Sequence, residues 1–410
     1  MARNDQFIVG LDLGSTKTCA LVSQPGEGGK LQVAGFGVAE SKGWRKSVIV
    51  NLDLTVLALK KAVEAAETAA GVSITSAYLG VAGTHIKGVN SRGAVGLGKS
   101  PGGTGAVTQD DILKVLQAAR AVTLPPDREI VYPEPQDYVL DSQEGIRNPV
   151  GMSGARLEAN VHLITGSSTA LRNAVTAANL AGIKVLDTVY EPFAAASACL
   201  TADERELGAA LVDIGGGSTD MIVYAGGSVR HTASIPVGGE HFTNDIAVGL
   251  RTTIPEAEKV KRSWAERELE SAPDSVLEVP SVGERPARIV SYAILDEIIQ
   301  PRTLELLELI HNELERSGHI RQLGAGVILV GGGAKQGGLV ALAEHTLGLP
   351  ARLGRCMGLE NMDENLAGPE YAALVGLAVY GNRRRLLQDL QETGLWAKMR
   401  RALRGKGGAA

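Results

Sequence analysis

The stretch Phe7-Ile-Val-Gly-Leu-Asp12-Leu-Gly14-Ser15-Thr16-Lys17-Thr-Cys-Ala-Leu-Val22 decides the fold, because its design returns as Ala210-Leu-Val-Asp213-Ile-Gly215-Gly216-Gly217-Ser218-Thr219-Asp-Met-Ile-Val-Tyr224. Each reads as strand, glycine-containing turn, strand, since β-branched and apolar residues flank Gly and small polar residues. Asp12-Leu-Gly14 matches Asp213-Ile-Gly215, and Ser-Thr follows after zero or two extra glycines. Two copies of one supersecondary unit predict a duplicated α/β domain. A third element, Gly326-Val-Ile-Leu-Val-Gly331-Gly332-Gly333-Ala334-Lys335, reads as a buried strand ending in glycines ahead of a helix. Its spacing is neither that of a P-loop nor Gly-x-Gly-x-x-Gly.

Working outward, 54–70 reads as an Ala-rich helix opened by Asp53 and Thr55 and closed by Gly71. Residues 83–166 have a different texture and read as an inserted α+β subdomain. It has a Gly/Ser-rich passage over 90–105, a helix over 109–121, a Pro-punctuated run over 124–135 and strands over 137–140 and 156–165. A helix over 169–180 and a strand over 184–189 follow. Beyond the second hairpin come a mostly helical stretch over 240–270, a surface segment over 271–287 and a helical region over 289–316. Pro301 breaks or kinks that region unless it opens a new helix. The last helix of the body spans 370–380, and 382–393 reads as a short polar connector.

The chain has 410 residues, 44% hydrophobic and 21% charged, which suits two or more domains with their own cores. Cys19, Cys199 and Cys356 lie far apart, so neither a disulfide framework nor a metal-ligand spacing is expected, and a reducing cytoplasm fits. Neither a secretory h-region nor an apolar run long enough to span a bilayer is expected. The seven histidines have no ligand spacing. Charge is divided: 382–410 holds eight Lys/Arg against two acidic residues, whereas 1–381 holds 33 basic against 44 acidic. An acidic body argues against nucleic acid as a partner. In the tail, Leu395, Trp396, Met399, Ala402 and Leu403 form one helical stripe, with Lys398, Arg400, Arg401 and Arg404 opposite. Such a helix either docks on the body or lies in an anionic membrane surface, and the charge division favours lipid.

Chemistry is expected at the glycine turns. Backbone N–H groups and small hydroxyls cradle phosphate oxygens, and Asp12 and Asp213 suit Mg²⁺, directly or through water. One Asp-x-Gly turn alone is most simply a β-hairpin. Two in matching contexts suit a clamp on a nucleotide across a cleft.

Five motif regions in order resemble the actin-like ATPase superfamily: 9–22, then Tyr190-Glu191-Pro-Phe-Ala-Ala-Ala-Ser197, then 211–224, 327–338 and 371–381. Within it, Ala82-Gly-Thr-His-Ile86, Asn90-Ser-Arg-Gly93, Asp127-Arg-Glu-Ile130 and Asn148-Pro-Val-Gly-Met-Ser-Gly-Ala-Arg-Leu-Glu158 resemble the distinctive subdomain 1C of the FtsA family of bacterial division proteins. The resemblance spans nearly the whole chain. It implies an α/β, actin-like, duplicated RNase H-type fold with 1A at 1–82, inserted 1C at 83–165 in place of 1B, and 1A again at 166–192. Subdomain 2A follows at 193–240, 2B at 241–302, 2A again at 303–358 and a return to 1A at 359–381. A linker at 382–393 and an amphipathic helix at 394–405 complete it.

The resemblance also implies roles. Gly14, Ser15, Thr16 and Lys17 meet the β- and γ-phosphates of ATP, with Asp12 and Asp213 around Mg²⁺. Gly215, Gly216, Gly217, Ser218 and Thr219 form the opposing loop. Glu258 and Lys261 face the adenosine, and Gly331, Gly332, Gly333 and Lys335 line the base. Glu191 either orients an attacking water or is a favourable helix N-terminal charge. Arg285, Arg288 and Arg302 either receive the carboxylates of an FtsZ C-terminal tail or are solvated surface arginines. The implied partners are FtsZ, further copies of this chain in protofilaments, anionic lipid and other division proteins, on the cytoplasmic membrane face at the septum. ATP hydrolysis is expected to be weak at most. Two alternatives are a pilus-assembly actin-like protein, without such a tail, and a small-molecule kinase of the same superfamily.

Overall fold

Two sheets repeat one topology. The structure, a computed structural model, describes residues 7–26, 30–98, 103–266, 276–281 and 286–391. In the first half, Ile8–Leu13 runs antiparallel to Lys17–Pro25 and parallel to Ser76–Val81, and Lys184–Tyr190 and Leu31–Glu40 extend the sheet on either side. In the second half, Ala209–Ile214 runs antiparallel to Thr219–Ala225 and parallel to Gly326–Val330. Except at half-buried Asp213, the central strands are buried along their length, Leu11, Leu211, Val212 and Leu329 completely, as strands covered on both faces must be. This is the duplicated α/β architecture expected of the actin-like fold.

The halves meet where the Ala-rich helix Glu191–Cys199 crosses the helix Ala372–Gln391. A Cβ on Gly376 would lie 1.9 Å from the Ala194 carbonyl oxygen, so only glycine allows this approach. The insertion forms its own four-stranded antiparallel sheet covered by the helix Gln109–Arg120. It leans on the edge strand Ser228–Ile235 of the second sheet through polar contacts: Ser228 Oγ to the Gln136 carbonyl at 2.6 Å, and an Arg230–Asp137 ion pair at 3.2 Å.

Several expectations are corrected. The first long helix begins at Leu52, and Asn51 caps it by accepting from the Leu54 amide. The 90–105 passage contains most of the strand Lys87–Gly96, paired residue for residue with Arg156–Thr165. Residues 128–135 of the Pro-punctuated run belong to the strand Arg128–Leu140, which tolerates proline because its far side is paired only near Tyr138 and Leu140. Pro133 and Pro135 therefore need no ladder donor there. Arg288–Ser291 is a strand paired with Val276–Val279, in keeping with β-branched Ile289 and Val290.

The following helix, Tyr292–Arg316, runs unbroken through Pro301. The proline ring lies on the exposed face, while Leu295, Ile299, Leu306 and Ile310 stay buried on both sides of it. Continuous apolar packing there outweighs a proline penalty of about 3 kcal/mol. Last, the helix expected to end at 380 runs on through 382–391 as part of Ala372–Gln391, so the described part of the polar connector is helical, a segment rich in Arg, Leu and Gln without proline. Among the described residues no helix is long and apolar enough to cross a membrane.

Candidate nucleotide site

The two Asp-Gly turns face each other. A Cβ on Gly216 would lie 2.3 Å from Thr16 Oγ1, and one on Gly217 would lie 2.9 Å from Ser15 Oγ and 2.6 Å from the Ser47 amide nitrogen. Glycine is required here because the opposing turn occupies the space a side chain would take. The ladder register also corrects the alignment of the copies. Leu13 pairs with Thr18 and Ile214 with Thr219, so both turns hold four residues, 14–17 and 215–218, and the second carries no extra glycines. Thr219 therefore matches buried Thr18, not Thr16. Its hydroxyl is buried and donates to the Val237 carbonyl at 2.8 Å, away from the cleft.

Between the halves runs a cleft of about 400 Å³ lined by Thr16, Lys17, Gly215, Gly216, Gly332, Gly333 and Lys335. Glu258 and Lys261 line it too and pair at 2.7 Å, with Lys261 also donating to the Gly239 carbonyl and Thr243. Phe242, Trp264 and Leu306 add apolar surface suited to a flat base. Behind the turns a smaller pocket of about 90 Å³ is lined by Gly14, Ser15, Glu191, Asp213, Gly217 and Ser218. Asp12 lies buried below the first turn. Gly331 lies behind the second at φ 85°, where a Cβ would meet Asp213 Oδ1 at 2.3 Å.

Electrostatics concentrate in this place. Burial pushes the Asp12 carboxyl up to about 6, with Lys17 and the Gly14 amide pulling it back. Asp213 rises to about 8 through burial and the neighbouring Asp220 and Asp12. Glu191 is held well above the usual carboxylate range by burial and by Asp12, Asp213 and Asp220. Lys17 is the opposing cation, seated 3.5 Å from the Tyr371 ring centroid. Crowded carboxyl groups of this kind match a site that takes a cation. Among the described residues no group of three or more His, Cys, Asp or Glu would hold a metal unaided. That fits Mg²⁺, which takes one or two carboxylates and completes its shell with water and substrate phosphate.

Sequence reasoning missed four residues of the site. Asp220, opposite Asp213 in the ladder, accepts from the Gly83 amide at 3.0 Å and from Ser218 Oγ at 2.7 Å. Glu370 pairs with Lys335 at 2.8 Å, and its second carboxylate oxygen is buried without a hydrogen-bond partner. Tyr371 seats Lys17. Ser47 reaches in from a short hairpin that no pattern marked.

The remaining expected residues lie apart. Arg302 makes a two-pronged ion pair with Asp245, at 2.7 and 3.1 Å, and also pairs with Glu305. Arg288 donates to the Leu250 carbonyl. Both are thus engaged within the chain. Arg285 lies outside the described residues, as do Leu395, Trp396, Lys398, Met399, Arg400, Arg401, Leu403 and Arg404.

The chain is similar to known proteins over most of its length. The family model described as "Cell division protein FtsA" matches residues 210–376, and that described as "SHS2 domain inserted in FTSA" matches 83–165. Cell division protein FtsA of Pseudomonas aeruginosa is 42% identical over 381 residues, 92% of this chain and 90% of the relative. The Neisseria meningitidis protein is 38% identical over 379 residues, again covering 92% and 90%, and that of Escherichia coli K12 is 37% identical over 394 residues, 94% and 92%. Among solved structures, the PilM-PilN type IV pilus biogenesis complex has a TM-score of 0.64 at 18% identity, covering 92% of this chain and 98% of that one. MreB5 of Spiroplasma citri bound to ADP has 0.54 at 14% identity, covering 96% and 100%. These two likenesses speak to the fold alone.

Proposed function

Because this chain belongs to the FtsA family of cell division proteins, we propose that it binds ATP with Mg²⁺ in its interdomain cleft, tethers FtsZ filaments to the cytoplasmic membrane face at the septum, and assembles into protofilaments. One observation carries the nucleotide reading: two glycine turns, each preceded by its own aspartate, Asp12 buried and Asp213 half-buried, oppose each other closely enough that Gly216 has no room for a side chain beside Thr16. Gly14 to Lys17 and Gly215 to Ser218 would cradle the phosphates, while Gly332, Gly333, Glu258 and Lys261 would hold the nucleoside. Bound Mg²⁺ would offset phosphate and carboxylate charge. Burial and the neighbouring Asp12, Asp213 and Asp220 hold the Glu191 carboxyl well above the usual carboxylate range, which opposes a role as general base and supports weak hydrolysis at most.

The membrane role is supported by the basic, amphipathic sequence after Gln391. Burying Leu395, Trp396, Met399 and Leu403 would contribute about 1.5–3 kcal/mol each at full burial, less the cost of ordering. Nearby cations would add about 1 kcal/mol each against anionic lipid. One such foot is weak, and many on a filament act together. Arg288 and Arg302 serve the FtsZ tail by exchanging their internal partners for its carboxylates. The pilus-assembly alternative rests on an 18% identical likeness of fold, whereas the division proteins are 37–42% identical over most of the chain.

Co-sedimentation with anionic liposomes in ATP tests the tether, comparing the full chain with one ending at Gln391, which leaves the helix Ala372–Gln391 intact. Only the full chain should pellet. Equal pelleting of both would sink the tether, while ATP binding measured on the same samples judges the cleft separately.

A further inference from the structure

The loop between the strands Trp44–Arg45 and Val48–Ile49 has no counterpart in any motif, yet it touches the phosphate turns. Its two residues, Lys46 and Ser47, have φ of 49° and 60°, the left-handed pair of a type I′ hairpin, without glycine at either place. Non-glycine residues held there are strained, and such strain persists where surrounding structure demands it. Here Ser47 Oγ donates to Ser218 Oγ at 3.0 Å, from the first half of the molecule to the second. Ser218 Oγ donates in turn to Asp220 Oδ2 at 2.7 Å. Asp220 Oδ1 accepts from the Gly83 amide at 3.0 Å, and Gly83 is where the inserted subdomain leaves the first sheet. A Cβ on Gly83, at φ 110°, would lie 3.0 Å from the Ser47 Cβ, so hairpin and root are also in contact.

Building on the nucleotide reading above, we propose that Ser47 is a positioning residue of the cleft and that the chain Ser47, Ser218, Asp220, Gly83 passes the state of the cleft to the insertion. The physical reason is a proton count. A serine hydroxyl has one proton to donate, and that of Ser218 is spent on Asp220. A phosphate oxygen seated on the second turn competes for it. When the phosphate wins, Asp220 keeps the Gly83 amide and the Ser234 hydroxyl opposite it in the ladder, leans harder on both, and the root of the insertion tightens. Ser47 fixes the direction of the Ser218 hydroxyl and makes its bond only when the two halves stand at this spacing. Closure and phosphate occupancy are thereby read at one oxygen.

The test measures ATP affinity and amide hydrogen exchange in peptides over residues 82–90, with and without ATP and Mg²⁺, on the full chain. In the unaltered protein, ATP should slow exchange at this root. Ser47→Ala should weaken ATP by about fivefold, the worth of one neutral hydrogen bond, and abolish most of the ATP-dependent change. Ser47→Gly removes the same hydroxyl while relieving the left-handed strain, so it should behave alike without loss of melting temperature. Asp220→Asn keeps an acceptor for Gly83 but loses the one for Ser218, and should leave exchange at the root indifferent to ATP. An ATP-dependent change of undiminished size in all three variants overturns the relay, as does no change in an unaltered chain that binds ATP. Failure of the unaltered chain to bind ATP would instead remove the nucleotide reading, and the relay with it.

Discussion

The first turn, 14–17, and the second, 215–218, are equal in length and sit on matching strands, but their charges differ. The first ends in Lys17, whose ammonium rests on Tyr371 and opposes Asp12, and its residue opposite Asp12 in the ladder is Cys19. The second ends in Ser218, and opposite Asp213 stands another carboxylate, Asp220. Asp12 accordingly rises to about 6 and Asp213 to about 8. One copy of the motif thus carries its own cation, while the other sets a second carboxylate beside its aspartate and meets Lys17 only from across the cleft. Duplication preserved the backbone cradle and let the electrostatics diverge.

The widest break in this contrast comes from Lys17→Ala, which leaves both turns without a cation. ATP affinity should fall about 10- to 100-fold, the range for a lost charged contact, as read by titration with a fluorescent ATP analogue. An unchanged affinity would show that backbone amides alone carry the site. Gly217→Ala should come next, since its Cβ meets the Ser47 backbone nitrogen at 2.6 Å across the cleft. Overpacking of about 1–3 kcal/mol would hold the halves apart and weaken ATP by about tenfold. Gly14→Ala instead meets the Lys17 carbonyl of its own turn at 2.9 Å and should distort that turn locally.

Titration sharpens the contrast further. A carboxyl raised from an unfolded value of about 4 stabilises the ligand-free fold only while protonated. Stability from Asp213 is therefore full below about pH 4 and lost as pH rises through about 8, and that from Asp12 is lost by about 6. In melts without nucleotide, Asp213→Asn should flatten the decline between pH 6 and 8, and Asp12→Asn only the part below 6. Parallel curves for both variants and the parent would refute the assignment. The smallest effect belongs to Thr219→Val: about 1 kcal/mol less stability from the lost bond to Val237, and no change in ATP affinity. Thr16→Val should do the reverse.

Much of this was legible in residues whose chemistry is local. The strands and turns around Asp12-Leu-Gly14 and Asp213-Ile-Gly215, and the strand before Gly331, are where the sequence places them, because strand pattern and turn chemistry act over a few neighbours. The insertion was visible in the change of composition over 83–166, and Asn148 to Glu158 carried only the family resemblance. Pro301 was misread because helix continuity there is decided by apolar packing against distant elements, and 382–391 because its polar residues read as a connector although they are also good helix formers. The pairing of Ser15-Thr16 with Ser218-Thr219 failed because identity of letters does not give ladder register.

By itself the sequence determined a duplicated α/β chain with an insertion, three glycine-bearing turns, and a basic tail on an acidic body, since composition, period and turn preference are properties of neighbouring residues. Only the tertiary structure decided that the turns oppose each other, that Thr219 points away from the cleft, and that Ser47 and Gly83 join the site. Those facts depend on hydrogen bonds between residues separated by as many as 171 positions, and no local pattern records which distant groups will be brought within bonding reach.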